Sequence, residues 1–278
     1  MKDIKEIVKE KYSEIAQQSK SQNETSCCGS GGCCSDIDYT IFSENYDKID
    51  GYNPDADLGL GCGIPTEFAH IRKGDTVVDL GSGAGNDCFV ARALTGESGK
   101  VIGIDMTDAM IEKARGNAEK LGFNNVEFRL GDIEKMPLTA NKADVIVSNC
   151  VLNLVPDKAK AFSEIYRVLK PGGHLSVSDV VIKGELPQQI KEAAEMYVGC
   201  VSGALEIDEY LQTMQDAGLK NIQINKEKAI TVPDEVLLGF LNADQLKVFK
   251  EAGSGILSIT VYAEKPLTEG CGCGCGCN

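Results

Sequence analysis

Histidine is almost missing from this chain: His70 and His174 are the two present among 278 residues. Neither sits beside an acid or nucleophile in a recognisable motif, so both read as structural and histidine-based general-base chemistry is set aside. Basic charge is also scarce. Lys and Arg number 28 against 42 Asp and Glu, a net charge of -14, which argues against a nucleic-acid groove or an anionic membrane partner. No apolar run approaches the ~20 residues needed to cross a bilayer. The opening Met1-Lys2-Asp3-Ile4-Lys5-Glu6 offers no apolar leader segment. Together these shortages lead to the expectation of a cytoplasmic protein acting on a small molecule.

What is plentiful is cysteine, at 12, and glycine, at 30, in an otherwise ordinary globular composition of 42% hydrophobic and 25% charged residues. With no export signal and enough chain for a full core, such thiols read as metal-binding or catalytic. Cys27-Cys28 and Cys33-Cys34 lie in a Gly/Ser loop, and four more cysteines alternate with glycine from Cys271 to Cys277. That last run is low in complexity and is expected to be unstructured without a ligand. Cys62, Cys150 and Cys200 stand singly and far apart. Cys88, in an apolar helical pattern, reads as a core residue.

Residues 1–20 have helical spacing, with Ile4, Ile7, Val8 and Ile15 on one face. Tyr39 to Pro54 is polar and turn-rich and is expected to wrap the domain that follows. From residue 65, short apolar runs alternate with helical patterns. Strands are expected at Thr76–Asp79, Lys100–Asp105, Val126–Leu130, Ala143–Ser148 and His174–Val181. Helices are expected after the glycine loop, over Ala109–Leu121, and over Lys158–Leu169, the last closed by Pro171-Gly172-Gly173. This alternation implies α/β architecture, a doubly wound Rossmann-like parallel sheet with helices on both faces. Beyond Pro187 come helices over 188–200 and 207–217 and strands over 222–232 and 257–263, with a further helix between the strands, expected to lid the sheet edge. The resulting division is an extension over 1–55, a nucleotide-binding domain over 56–185, an α+β lid region over 186–268 and a tail over 269–278.

Gly81, Gly83 and Gly85 follow a strand and open a helix, allowing a tight turn and close backbone approach to a ligand. A dinucleotide loop would want glycine where Asn86 stands, and a P-loop would need Gly-Lys-Ser/Thr, which is absent. Asn86 and Asp87 read as helix-opening caps. Asp105 ends the next strand, where a carboxylate can take both ribose hydroxyls. Asp132, after the third, can accept from an adenine amino group. With Leu169-Lys170-Pro171-Gly172-Gly173, these features resemble the class I S-adenosylmethionine-dependent methyltransferases over about residues 65–181. The resemblance implies S-adenosylmethionine as methyl donor. It implies a site drawn from Asp79, Gly81, Ser82, Gly83, Gly85, Asp105, Met106, Asp132, Ile133 and Asn149, with Met106 packed on the adenine.

Cys150 follows the fourth strand, at the carboxyl end where open parallel sheets bind ligands. Cys62 lies in a glycine-rich loop and Cys200 ends an expected helix, so the three could converge over the sheet edge. Gly59-Leu60-Gly61-Cys62-Gly63, Ser148-Asn149-Cys150-Val151-Leu152-Asn153-Leu154, Asp105-Met106-Thr107-Asp108, Val177-Ser178-Asp179-Val180 and Tyr197-Val198-Gly199-Cys200-Val201-Ser202-Gly203 resemble the arsenite methyltransferases, from about Cys27 to Ala217. The resemblance implies that Cys62, Cys150 and Cys200 bind trivalent arsenic. It also implies that a fourth cysteine, Cys34 or its neighbour Cys33, pairs with Cys62 in a disulfide during turnover, and that a thiol reductant such as thioredoxin or glutathione takes part. Two other readings stand beside it: a methyltransferase for an organic acceptor such as a quinone or sterol, and a thiol-rich sequestering protein on a degenerate fold.

Overall fold

The structure is a computed structural model that describes residues 4–17, 44–189, 203–251 and 253–267. Among them, a seven-stranded sheet runs in the order β3-β2-β1-β4-β5-β7-β6. Its strands are β1 (Thr76–Leu80), β2 (Lys100–Asp105), β3 (Val126–Leu130), β4 (Ala143–Asn149), β5 (Leu169–Lys183), β6 (Lys220–Ile230) and β7 (Gly255–Glu264). The first five are parallel, and β7 enters antiparallel between β5 and β6. The helices are α1 (Ile4–Ala16), α2 (Asn86–Thr95), α3 (Asp108–Lys120), α4 (Lys158–Val168), α5 (Ile207–Asp216), α6 (Asp234–Leu237) and α7 (Ala243–Glu251).

The central strands are apolar on both sides because both sides are covered. Val78, Leu80, Ile102, Ile104 and Ile146 pack against Phe162 and Ile165 of α4 and Tyr210 and Met214 of α5. The alternate residues Val77, Val101, Val145 and Val147 share a second core with Phe89 of α2 and Met110 of α3. Strand periodicity places neighbouring valines in opposite cores. Helix α4 shows how sequence sets an element: Asp157 caps it by accepting from the Lys160 N–H, and Ala161, Phe162, Ile165 and Val168 form its buried stripe.

Two expectations change. Pro171-Gly172-Gly173 does not close α4 from outside. The chain turns from Val168 directly into β5, where Leu169 pairs with Ala143. The glycines serve close approach instead, since a Cβ on Gly173 would stand 2.9 Å from the Asp144 carbonyl. The second change concerns the region after residue 186. Its strands lengthen the central sheet rather than only lidding its edge, because β7 pairs along the whole outer flank of β5, from His174 to Lys183. Edge strand β6 is largely exposed and carries Lys220, Lys226, Glu227 and Lys228, a charged rim that discourages further pairing. The cysteine pairs between Cys27 and Cys34, all but the first two residues of the helix expected over 188–200, and the Gly-Cys run lie outside the described residues. No described helix is long and apolar enough to cross a membrane.

Candidate active site

A cleft of about 1180 Å³, open mouth included, lies at the carboxyl ends of β1, β2 and β4, where parallel sheets bind ligands. Every residue expected to touch a methyl donor lines it or builds its frame. Gly81, Gly83 and Gly85 have φ of 63°, 49° and 101°, left-handed values that favour glycine. The space beside Gly83 is empty to 4 Å on the side a Cβ would take. The buried Ser82 hydroxyl makes no hydrogen bond among the described residues, and Ser82 is one of the residues lining the same cleft. An open cradle and an orphaned hydroxyl are what a polar ligand seated on this loop would fill.

Six acidic residues line the cleft: Glu44, Asp57, Asp79, Asp87, Asp105 and Asp132. Asp79, at the end of β1, is raised well above the usual carboxylate range by burial and then by Asp87, with the Cys88 thiol opposing as it donates to Oδ2 at 3.2 Å. Cys88 is thus more than apolar filler. Asp105 is raised by burial, though the backbone N–H groups of Thr107 and Gly83 donate to it at 2.8 and 3.0 Å. Asp87, read from the sequence as a helix cap, is half-buried in the cleft wall and pushed to about 6, mainly by desolvation. Crowded buried acids gain when a cation enters, so this wall suits a positively charged ligand.

Helix α1 closes the other side with Val8 and Tyr12. Lys5 reaches Oδ2 of Asp132 at 2.7 Å and Oε2 of Glu134 at 2.6 Å, Lys9 pairs with Asp108, and Lys113 donates to the Ala16 carbonyl. Asp132 therefore holds an ammonium group at the edge where an adenine donor was expected. Burial opposes its ionisation, but the Lys5 contact and the Glu134 N–H outweigh it and leave Asp132 below its ordinary value. Met106 and Ile133 line the cleft.

Asn149 lines the cleft too, yet its side chain is spent on the thiol loop. Its Oδ1 accepts from the Cys62 N–H at 3.0 Å, and its Nδ2 lies 2.9 Å from the Gly63 carbonyl, 3.0 Å from Tyr46 Oη and 3.1 Å from Asp87 Oδ2. Cys62 and Cys150, 88 residues apart, are joined as a disulfide with their Cα atoms 5.9 Å apart. Cys150 lines the donor cleft and adopts φ of 58°, an uncommon conformation for a residue with a Cβ. Both cysteines are buried among Val180, Ile182 and Ile256. Cys62 is bonded to Cys150 in this structure; Cys34 and Cys33, one of which was expected to pair with Cys62 during turnover, lie, like Cys200, outside the described residues.

Sequence reasoning missed Tyr46, Asp87 as a cleft residue, and Lys5. Tyr46 carried little signal, being one of four aromatics, with Tyr39, Phe42 and Tyr52, in a polar stretch, although it is only 6% exposed.

A family model described as a methyltransferase domain matches residues 71–218. An arsenite methyltransferase of Halobacterium salinarum is 39% identical over 276 residues, covering 95% of this chain and 67% of that protein. The chain belongs to the arsenite methyltransferase family. The human arsenite methyltransferase is 42% identical over 188 residues, 64% of this chain and 49% of its own. The chain thus spans two thirds or less of the length of these relatives. An arsenic(III) S-adenosylmethionine methyltransferase of Chlamydomonas reinhardtii superposes with a TM-score of 0.63 at 35% identity, over 75% of this chain and 68% of that one. The Chlamydomonas protein is named for S-adenosylmethionine, and the cradle of Gly81, Ser82 and Gly83 with its acidic wall suits a cation of that kind.

Proposed function

We propose that this chain transfers methyl groups from S-adenosylmethionine to trivalent arsenic held by Cys62, Cys150 and Cys200, giving mono- and then dimethylated arsenicals and so serving arsenic detoxification. The observation that carries the reading is the meeting of Cys62 and Cys150 where the donor cleft ends. An enzyme methylating a quinone or sterol would need no such pair, and a mere sequestering protein would need no donor cradle.

Arsenic(III) is soft and prefers thiolate sulfur. Three thiolates hold it as a pyramid and leave its lone pair free. S-adenosylmethionine supplies an electrophilic sulfonium methyl and departs as a neutral thioether. The glycine cradle and the acidic wall hold the donor on β1 and β2, while Cys150 holds arsenic on the adjacent β4, so the two reactants are placed before reaction. No general base is needed, because the nucleophile is a lone pair, in keeping with the scarcity of histidine.

The new As–C bond leaves arsenic pentavalent. Two thiolates then join as a disulfide, and their two electrons return methylated arsenic to the trivalent state. The Cys62–Cys150 bond supports this accounting. A thiol reductant of the thioredoxin or glutathione type, supplying two electrons and two protons, reopens it; Cys34 would relay that exchange. The setting proposed is the cytoplasm.

The deciding experiment is transfer of labelled methyl from S-adenosylmethionine to arsenite with a dithiol present, with products separated by arsenic speciation. Methylated arsenic is expected only when reductant is supplied. Donor binding with no methylated arsenic would overturn the reading in favour of an organic acceptor.

A further inference from the structure

Tyr46 lies in a polar, turn-rich segment, yet its hydroxyl is buried at the junction of the donor cleft and the cysteine loop. It stands 2.8 Å from Asp87 Oδ1, 3.0 Å from the Gly63 carbonyl and 3.0 Å from Asn149 Nδ2. Between them the Tyr46 hydroxyl and the Asn149 amide own three hydrogens. The ionised Asp87 carboxylate and the Gly63 carbonyl offer three acceptor oxygens. Tyr46 can donate to Oδ1 of Asp87, and Asn149 to Oδ2 of Asp87 and to Gly63. Each hydrogen then has one acceptor, a closed set that fixes the amide orientation. With Nδ2 so placed, Oδ1 is turned to the backbone of Cys62, whose N–H it accepts at 3.0 Å.

Space enforces the same arrangement. A Cβ on Gly61 would stand 2.5 Å from Asn149 Nδ2, and one on Gly63 would stand 2.6 Å from Ser178 Oγ. The loop is therefore pressed onto Asn149, with glycine on either side of the cysteine. Ser258 Oγ donates to the Cys62 carbonyl at 2.6 Å and pins the far side. Asn149 immediately precedes Cys150, so one residue connects both sulfurs.

We propose that Tyr46 and Asp87 are positioning residues for the acceptor thiols: acting through Asn149, they hold Cys62 at the place where it faces Cys150. This inference rests on the arsenic reading for its catalytic consequence, but not for its geometric one. Inorganic arsenite needs three sulfurs, whereas a monomethylated arsenic keeps one position for carbon and needs two. Loosening Cys62 therefore handicaps the first methylation and spares the second.

The test uses the full chain with Tyr46→Phe, which removes one hydroxyl and keeps the ring packed beside Ile64 and Val90; Asp87→Asn is the second variant. Two quantities are read. The first is kcat and KM on arsenite and on monomethylated trivalent arsenic. The second, independent of arsenic, is the rate at which the reduced protein closes its Cys62–Cys150 disulfide under a fixed oxidant, followed by mass spectrometry of alkylated peptides. Closure reports how closely one sulfur is held to the other, as an effective concentration.

Tyr46→Phe is expected to lower kcat/KM on arsenite by about tenfold, the equivalent of 1.4 kcal/mol. It is also expected to slow disulfide closure several-fold and to cost turnover of monomethylated arsenic several-fold less than turnover of arsenite. Asp87→Asn is expected to slow closure likewise and to weaken donor binding as well, because Asp87 lines the donor cleft. Unchanged closure in both variants, or equal losses on both arsenicals, would overturn the proposal. A wild-type chain that binds donor but methylates neither arsenical would sink the arsenic reading alone, and the closure rate would still decide the positioning role.

Discussion

Cys150 carries two demands in one residue, a sulfur for the acceptor and a left-handed backbone. That conformation costs on the order of 1–2 kcal/mol for a residue with a Cβ, and it is held by the Cys150 N–H donating to the Ser178 carbonyl at 2.8 Å. Cys150→Ser keeps backbone and volume but loses the soft ligand. It is expected to lower turnover of both arsenicals by two orders of magnitude or more in the labelled-methyl assay, since placement of the reactants supplies factors of that size. Cys200→Ser is expected to do the same, whereas Cys62→Ser should abolish methylation of arsenite and spare the monomethylated species. Asp179 makes a different prediction. Burial lifts it to about 7, against the opposing contacts of the Val180 N–H, Lys158 and Tyr210. The folded chain then holds a proton that the unfolded chain releases near pH 4, so stability falls as pH rises from about 4 to about 7. Urea unfolding at pH 5 and pH 8 should show this fall, and Asp179→Asn should reduce it by raising stability at pH 8 relative to the parent.

At the scale of elements, α1 is a wall of the cleft pinned by lysines. The Lys5–Asp132 pair is half open to water, whereas Glu134 is 6% exposed, so the second contact contributes more than a surface pair would. Lys5→Met is expected to raise KM for S-adenosylmethionine about three- to tenfold, change kcat less, and weaken the dependence of donor affinity on salt. Equal donor affinity at low and high salt in both proteins would contradict that role. This wall was not legible from the chain: the spacing of Ile4, Ile7, Val8 and Ile15 marks a helix but not the strand ends it covers. Strands β1 to β4 were legible to within a residue, β1, β2 and β4 because strands buried on both faces are largely apolar runs, whereas β5 begins five residues before its expected start. The glycine loop and Asp105 could be read because their chemistry is local in sequence. Tyr46, Asp87 and Asn149 act together over 103 residues of separation, and no local pattern carries that. The junction of α4 and β5 misled because Pro-Gly-Gly after a helix signals a stop equally well when a strand begins there.

At the scale of the whole molecule, the sheet has a working end and a resting end. Cys150 hangs from Ser178. β7, running against β5, leaves at the opposite end, where Lys265 exchanges backbone hydrogen bonds with Gly172 and Gly173. Its ammonium group is clamped by Asn141, Tyr166 and Leu169. Five residues of strand separate Gly173 from Ser178, roughly 17 Å. Removing residues 268–278 is therefore expected to leave turnover at saturating arsenite within about twofold, because the clamp that ends the fold is retained; a collapsed rate would show that those residues take part in the chemistry. The same geometry bears on immobilisation. A linker joined after Leu267 would leave the fold at the end remote from the cleft, so a chain tethered there to a support would turn its cleft toward the flowing liquid.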